Sequence, residues 1–190
     1  GANLTPTMTE AAAMARADGR TGLLVHEQTA TLPARSYPNG AHVAEVEIDP
    51  DTGKVTLERY TVVDDFGNLI NPMLAEGQVH GGAVQGIGQA LCERVVHDED
   101  GQLLTASFMD YAMPRADDVP MFRFASEPVP STANVMGMKG CGEAGTVGAM
   151  AATANAVADA LWHKGVREAD MPFTPHRVWS MLHDADGAAA

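Results

Sequence analysis

A glycine-rich loop places one carboxylate where it could act as an acid or a base. Residues 137–150 read GMKGCGEAGTVGAM, in which Gly140, Gly142 and Gly145 form a G-x-G-x-x-G pattern around Glu143. The apolar spacing that follows predicts a helix, so Glu143 should lie at its N-terminal end, where backbone N–H groups and the helix dipole favour a negative charge. A carboxylate held there can accept a proton from a substrate or from a metal-bound hydroxyl. A simple capping charge is the structural alternative, and the residues alone favour it.

The same glycines do not fit a nucleotide-binding loop. A dinucleotide fingerprint requires a strand before the loop and an acidic residue at the end of a second strand about 20 positions later. Here PVPSTANVMGMK precedes the loop and the end of a long helix follows it. Glu143 would also place a negative charge beside the pyrophosphate. A zinc site is not predicted either, because the seven histidines lack metal-site spacing. Six of them, His42 among them, are interpreted as surface or packing residues, and His80 is assigned no role.

The elements that must position this loop are predicted from periodicity and turn signals. Thr7 and Glu10 have capping-box spacing and predict an N-terminal helix that ends at Gly19, followed by a strand over 21–31. Alternating residues over 41–65 predict a β-hairpin, and the DFG tripeptide at its end is interpreted as a turn. Further along, the chain is predicted to contain a glycine-rich helix at 71–96, a strand at 103–111, a short strand at 121–128, a helix from 145 and a last helix at 175–184. The fold class is therefore α+β, with β-hairpins packed against glycine-lined helices.

Composition excludes several classes of function. Twelve basic and 25 acidic residues give a net charge of −13, which disfavours binding to nucleic acid. No apolar run approaches the roughly 20 residues that span a bilayer, and the N-terminus carries no visible signal peptide. Cys92 and Cys141 match no C-x-x-C site and are interpreted as reduced thiols. We therefore expect a cytoplasmic protein that binds neither nucleic acid nor membrane.

Three segments together resemble one enzyme family. They are VDDFGNLINPMLAEGQVHGGAVQGIGQAL at 63–91, SFMDYAMPRADDVP at 107–120 and GMKGCGEAGTVGA at 137–149. In order and spacing they resemble the C-terminal domain of molybdenum hydroxylase large subunits, the family of xanthine oxidase, aldehyde oxidase and aerobic carbon monoxide dehydrogenase. The resemblance is less distinct over residues 1–40, the predicted helix and strand. It predicts that 41–190 forms the C-terminal molybdenum-cofactor-binding region, one compact domain with the preceding segment.

The resemblance implies roles for three residues. Glu143 matches the family's active-site base, which takes the proton of a hydroxyl on molybdenum. Gln78 matches the glutamine that hydrogen-bonds the pterin cofactor, and a structural hydrogen bond between helices is its alternative. Gly142, in the same K-G-x-G-E motif, would let the cofactor approach closely. Gln85 is expected to be structural, and Lys139 either pairs with a carboxylate near the loop or is solvated.

The resemblance also implies cofactors and partners. The complete enzyme would hold molybdenum–molybdopterin, with the cytosine dinucleotide form as an option, and [2Fe–2S] and FAD would lie on partner domains or subunits. The partners would be the remainder of the large subunit, the iron–sulfur and flavin subunits, and a small-molecule substrate that is a purine, an aldehyde, an N-heterocycle or carbon monoxide. Family large subunits are several times longer and carry upstream motifs that are missing here.

We therefore expect a fragment, a separately expressed domain or one piece of a split subunit. By itself it should bind no cofactor and be inactive. The alternative is a non-catalytic interaction or scaffold domain, against which the presence of both Glu143 and Gln78 argues.

Overall fold

The computed structural model describes residues 5–188, and the chain forms two compact units, Gly1–Pro33 and Ala34–Ala190. In the first unit, helix α1 spans Met8–Ala17 and opens with the predicted capping box, in which the Thr7 hydroxyl accepts from the Glu10 N–H and the Glu10 carboxylate accepts from the Thr7 N–H. The division between the units lies before the predicted boundary at residues 40 and 41. That boundary rests on the resemblance and stays a prediction.

The predicted strand over residues 21–31 is wrong. Thr21–Leu24 forms a single 3-10 turn, and the described part of this unit contains no strand. A strand needs a partner to take up its backbone hydrogen bonds, so a run of β-prone side chains does not form one by itself.

A three-stranded sheet organises the second unit. Strands β1, Asn39–Ile48, and β2, Val55–Asp65, form the predicted antiparallel hairpin, with a bulge between Glu45 and Val46. Strand β3, Arg123–Ser126, pairs with β2 in parallel, which gives the order β1-β2-β3. The central strand β2 therefore carries most of the sheet's buried side chains.

The predicted strand over residues 103–111 is also wrong. This segment contributes one isolated bridge, between Leu103 and His97, and then turns on itself. The Ser107 hydroxyl donates to Asp110 at 2.6 Å, and the Tyr111 N–H donates to the Ser107 carbonyl at 2.9 Å. Such local bonds from serine and aspartate compete with sheet pairing.

Three helices complete the second unit, and all three were predicted from the sequence, although the first ends before the predicted residue 96. Helix α2 spans Pro72–Leu91, α3 spans Ala144–Trp162 and α4 spans Pro175–Ala188. The Asn71 side chain caps α2 by accepting from the Leu74 N–H at 3.2 Å. In the described part of the chain, no helix combines the length and the apolar character needed to cross a bilayer.

Helices α2 and α3 pack backbone against backbone. A Cβ atom at Gly86 would lie 2.7 Å from the Thr146 carbonyl oxygen, and one at Gly145 would lie 2.7 Å from the Ala83 nitrogen. Real side chains do not tolerate such contacts with backbone atoms, so only glycine allows this approach. Close packing therefore explains Gly86 of α2, as the sequence predicts, and also Gly145 of α3.

The core of the second unit has two clusters. The first joins β2 to α2 and α3, and its largest members are Tyr60, Phe66 and Ile87. The second joins the C-terminal half of α3 to α4 and is built on Leu161, Phe173 and other apolar side chains. Because the first cluster fixes both helices on the sheet, the N-terminal end of α3 has a defined position next to α2.

Candidate active site

Glu143 directly precedes α3, as predicted. Its carbonyl oxygen accepts from the Val147 N–H at 3.0 Å, which starts the helix. Its carboxylate makes no capping hydrogen bond to the helix, and the residue is exposed. The capping alternative therefore lacks the hydrogen bond that would define it, and the carboxylate is left open to a ligand.

One hydrogen bond brings the three predicted site residues together. The Gln78 side chain, on the exposed face of α2, donates from Nε2 to the carbonyl oxygen of Gly142 at 2.9 Å, across 64 residues of sequence. This bond ties α2 to the loop immediately before Glu143. A structural hydrogen bond between helices was the alternative to a cofactor contact for Gln78. The observed bond is also structural, but it joins α2 to the loop before α3. Within the described residues the Gln78 side chain makes no other hydrogen bond, so one N–H and the amide oxygen are still available. Its contact with a cofactor stays a prediction.

Gln85 lies further along α2 and contacts α3. The Thr146 hydroxyl is 3.0 Å from Gln85 Oε1 and 3.0 Å from the Gly82 carbonyl oxygen. A side chain engaged with the neighbouring helix suits the structural role expected for Gln85.

An ion pair between Lys139 and Asp65 anchors the loop that carries Glu143 to the end of β2. Lys139 pairs with Asp65 Oδ2 at the end of β2, and the two side chains are only 10% and 11% exposed. Asp65 Oδ1 accepts from the Gly67 and Val129 N–H groups at 2.8 and 2.9 Å. The bond from Lys139, together with these two backbone bonds, lowers the pKa of Asp65 to about 2. Of the two interpretations of Lys139, the structure shows pairing with a carboxylate.

Backbone hydrogen bonds join the same two segments. The Lys139 N–H donates to the Phe66 carbonyl at 2.8 Å, and the Asn68 N–H donates to the Gly137 carbonyl at 3.0 Å. Gly67 and Gly137 have φ angles of 61° and 66°, in the left-handed region that favours glycine. The DFG tripeptide is therefore a turn that ends β2, as predicted, and it anchors the loop that carries Glu143. Among the described residues no strand directly precedes that loop, which is a further argument against a dinucleotide site.

Replacing Lys139 with methionine is expected to raise the pKa of Asp65 from about 2 towards its ordinary value of 3.8. Because the folded-state pKa is lowered, the pair contributes stability at pH values above about 4. This contribution is lost as the pH falls towards 2. Carboxyl ¹³C NMR titration of the 190-residue chain measures the change, with the exposed Lys164→Met as the matched control. An Asp65 pKa that stays near 2 in Lys139→Met would show that the backbone donors alone set it.

Four glycines near Gln78 and Glu143 are not explained by the packing of this chain. A Cβ atom at Gly140, Gly142, Gly77 or Gly81 would meet no atom within 4 Å, and none of the four has a left-handed φ angle. A glycine inside a helix costs about 0.5–1 kcal/mol relative to alanine. Bare backbone, an exposed amide and an open carboxylate form a surface that fits a large polar cofactor at close range. Among the described residues no three His, Cys, Asp or Glu side chains are grouped to hold a metal ion.

A cleft of about 250 Å³ opens beside Glu143, and the sequence did not predict two of its residues. Its lining includes His42 of β1 and Asp64 of β2 together with Glu143. The His42 and Asp64 side chains are only 5% and 2% exposed, and His42 Nε2 lies 3.5 Å from Asp64 Oδ1. His42 was interpreted only as a surface or packing residue. The available signal was Gly40, which pairs with Asp64 across the hairpin and leaves space for its carboxylate.

Comparison with known proteins identifies the family. A model of the molybdopterin cofactor-binding domain matches residues 4–120. The chain belongs to this family. The match begins at residue 4 and so includes nearly all of the first 40 residues, where the sequence motifs are less distinct. It ends before the loop of Glu143.

Relatives and a solved structure extend the match towards the C-terminus. The chain is 41% identical over 167 residues to the 6-hydroxypseudooxynicotine dehydrogenase complex subunit gamma of Paenarthrobacter nicotinovorans. The aligned region covers 87% of this chain and 21% of that protein. The chain is 44% identical over 142 residues to the nicotine 6-hydroxylase large subunit of the same organism, covering 75% of this chain and 17% of that protein. Quinoline 2-oxidoreductase from Pseudomonas putida 86 superposes with a TM-score of 0.75 and 42% identity, over 78% of this chain and 19% of that one.

These matches confirm two of the predictions from the sequence. The predicted membership of the molybdenum hydroxylase large-subunit family is confirmed, and so is the α+β fold class. The chain spans about a fifth of the length of the curated relatives that it matches.

Proposed function

We propose that this chain forms one wall of the cofactor site in a molybdenum hydroxylase large subunit and supplies Glu143 as the catalytic base. The hydrogen bond from Gln78 Nε2 to the Gly142 carbonyl carries this proposal. It places an amide with free hydrogen-bonding capacity, a glycine with open space beside it and an exposed carboxylate next to one another. Packing alone requires none of these three features, whereas each of them suits a cofactor site.

Each residue has a specific task in the proposed site. The bound molybdenum cofactor supplies two-electron oxidation and the oxygen that is added to the substrate. Gln78 holds the edge of the pterin, because its amide can donate and accept at once. Gly142 lets the cofactor approach the backbone. Glu143 accepts the proton released when the substrate is hydroxylated, a role in which a carboxylate at hydrogen-bond range is sufficient.

The proposed substrate is a small molecule with an electrophilic carbon: an N-heterocycle, an aldehyde, a purine or carbon monoxide. The relatives named above act, by their names, on nicotine, on 6-hydroxypseudooxynicotine and on quinoline. Nitrogen heterocycles are therefore the first class to assay.

The other components of the enzyme are part of the same proposal. They are the remainder of the large subunit, partner domains or subunits that carry [2Fe–2S] and FAD, and molybdenum–molybdopterin, with the cytosine dinucleotide form as one option. The 190 residues by themselves would neither hold the cofactor nor turn over substrate, because Glu143 and Gln78 form only one wall. Stoichiometric molybdenum in the purified 190-residue chain would contradict this.

Replacing Gly142 with alanine tests the cofactor contact. In the 190-residue chain the added methyl meets no atom within 4 Å, so stability should be unchanged. In the complete large subunit the methyl would press on the cofactor at a cost of about 1–3 kcal/mol. We therefore expect cofactor affinity to fall by about tenfold or more. Molybdenum and pterin content, measured beside turnover, report this loss.

Gly22→Ala is the matched control, since Gly22 also faces open space and has no left-handed φ angle. Full cofactor content and full turnover in Gly142→Ala would remove Gly142 from the site. Destabilisation of the 190-residue chain by the same change would instead assign Gly142 a role in folding.

A further inference from the structure

A buried imidazole lies against the first turns of α3. His42 is on β1, and its side chain is 5% exposed. Its Nδ1 is 2.6 Å from the hydroxyl of Tyr60, and its Nε2 is 3.5 Å from Asp64 Oδ1. Both partners are on β2 and are themselves buried. The ring of His42 is therefore held in the interior by two side chains of the neighbouring strand.

The contacts of His42 fix the orientation of its ring. Burial, and then the negative charge of Asp64, raise the pKa of Tyr60, so the phenol keeps its proton at neutral pH. Its O–H donates to Nδ1, and the neutral ring then carries its own N–H at Nε2, which faces Asp64. Burial raises the pKa of Asp64, and the contact with His42 opposes that shift. Both ring nitrogens are thus engaged, and the ring cannot turn without losing these contacts.

The ring of His42 rests directly on the backbone of α3. A Cβ atom at Gly148 would lie 2.5 to 2.6 Å from three atoms of the ring, a distance that real side chains do not tolerate. Gly148 and Ala144 are one turn apart on α3, and both line the cleft of Glu143 together with His42. No side chain of α3 separates the ring from the helix at Gly148, so the place of the ring determines how closely α3 approaches β1.

The first turn of α3 connects this contact to Glu143. The Glu143 carbonyl oxygen accepts from the N–H of Val147, the residue next to Gly148. Because residues within a hydrogen-bonded turn move together, a shift of α3 at Gly148 also moves the backbone of Glu143. A general base acts only within about 2.6–3.2 Å of the proton that it takes. A small displacement of α3 would therefore be sufficient to change catalysis.

Filling the space between β1 and α3 does not by itself require polar side chains. Asp64 Oδ2 is buried and makes no hydrogen bond to any described residue, which lowers stability. A Cβ atom at Gly40 would overlap the Asp64 carboxylate, so β1 has no side chain at this place either. Apolar groups of the same shape would fill the space without an unpartnered oxygen. What the polar group adds is a fixed orientation of the His42 ring.

We propose that His42 is a positioning residue for the catalytic base. Oriented by Tyr60 and Asp64, its ring supports α3 at Gly148 and so sets the distance between Glu143 and the reacting atoms. The inference rests on the proposed function of Glu143 as the base. His42 itself touches neither substrate nor cofactor and transfers no proton.

A double-mutant cycle in the 190-residue chain tests the support without any cofactor. Gly148→Ala alone should lower Tm by about 2 °C or more, because the added methyl presses on the ring of His42. In His42→Ala the ring is absent, so the same change should raise Tm, since alanine is the better helix former. Gly81→Ala is the control, and because its methyl meets no atom within 4 Å it should raise Tm equally in both backgrounds.

Amide NMR of the same variants shows whether the support reaches the base. The Glu143 signal should shift in Gly148→Ala and in His42→Ala and stay in place in Gly22→Ala, whose added methyl meets no atom within 4 Å. An equal effect of Gly148→Ala on Tm in both backgrounds would overturn the proposal. A Glu143 signal that stays in place in both variants would overturn it as well.

Kinetics of the complete large subunit test the effect on catalysis. At full molybdenum content, His42→Ala should lower kcat by about tenfold or more and leave KM unchanged, because the base is displaced while the binding surface is kept. Adding Gly148→Ala to His42→Ala should restore part of kcat, since its methyl occupies part of the space left by the ring. The same change alone should lower kcat, and a loss of folded protein would not reverse its sign in this way.

Tyr60→Phe provides the test if His42→Ala does not fold. It removes only the hydroxyl that orients the ring, and it should lower kcat by about twofold or more at full molybdenum content. Full kcat in either variant, or a loss of kcat that only follows molybdenum content, would overturn the positioning role. Normal turnover in Glu143→Gln would instead overturn the proposed function, so the two failures are distinguishable.

Discussion

Replacing Glu143 with glutamine in the complete large subunit is expected to lower kcat by about 10²- to 10⁴-fold, the usual contribution of a positioned general base. Glutamine has nearly the same size and still forms hydrogen bonds, but it cannot accept the proton. The Glu143 carboxylate makes no capping hydrogen bond, so stability should change by no more than about 0.5 kcal/mol. Steady-state kinetics, molybdenum content and thermal unfolding separate these effects.

Glu58→Gln is the matched control, because Glu58 is exposed on β2 and does not line the cleft. It should leave kcat, molybdenum content and stability unchanged. A Glu143→Gln enzyme with normal kcat would exclude Glu143 as the base. An enzyme that lost its molybdenum instead would show that Glu143 holds the cofactor.

Local patterns were sufficient to predict where Glu143 lies. The apolar spacing after the glycine loop gives α3, and the helix begins one residue beyond Glu143. The proximity of Gln78 and Gly142 could not be predicted from periodicity, because it depends on how α2 and α3 pack across 64 residues of sequence. Only the family resemblance placed the two residues in one site.

The His42–Asp64 pair shows what sequence patterns alone could not predict. Its geometry depends on the register of β1 against β2, and a bulge between Glu45 and Val46 shifts that register. A shift of one residue turns every later side chain to the opposite face of a strand. Alternation therefore predicted the hairpin but not which polar side chains meet inside it. The wrong strand at 103–111 has a related cause, since local Ser107 and Asp110 contacts replace long-range pairing there.

Replacing Gly145 with alanine in the 190-residue chain is expected to destabilise it by about 1–3 kcal/mol. The added methyl would press on the backbone of α2, where its neighbours are the Val79 carbonyl oxygen and, at 2.7 Å, the Ala83 nitrogen. Backbone atoms inside a helix cannot rotate away as the end of a side chain can, so the two helices must move apart. Thermal unfolding should show a decrease in Tm of about 2–4 °C per kcal/mol.

Gly81→Ala separates this packing effect from the intrinsic preference of helices for alanine. Gly81 lies in the interior of α2, but an added Cβ there meets no atom within 4 Å. Alanine at this position should stabilise the 190-residue chain by about 0.5–1 kcal/mol. Changes in stability of opposite sign at Gly145 and Gly81 would establish the close approach of α2 and α3, and equal changes would contradict it.

Because the same close approach of the helices sets the hydrogen bond between Gln78 and Gly142, amide NMR of Gly145→Ala should also show that this bond is weakened. The glycines between the helices would then determine the geometry of the site as well as the stability of the fold.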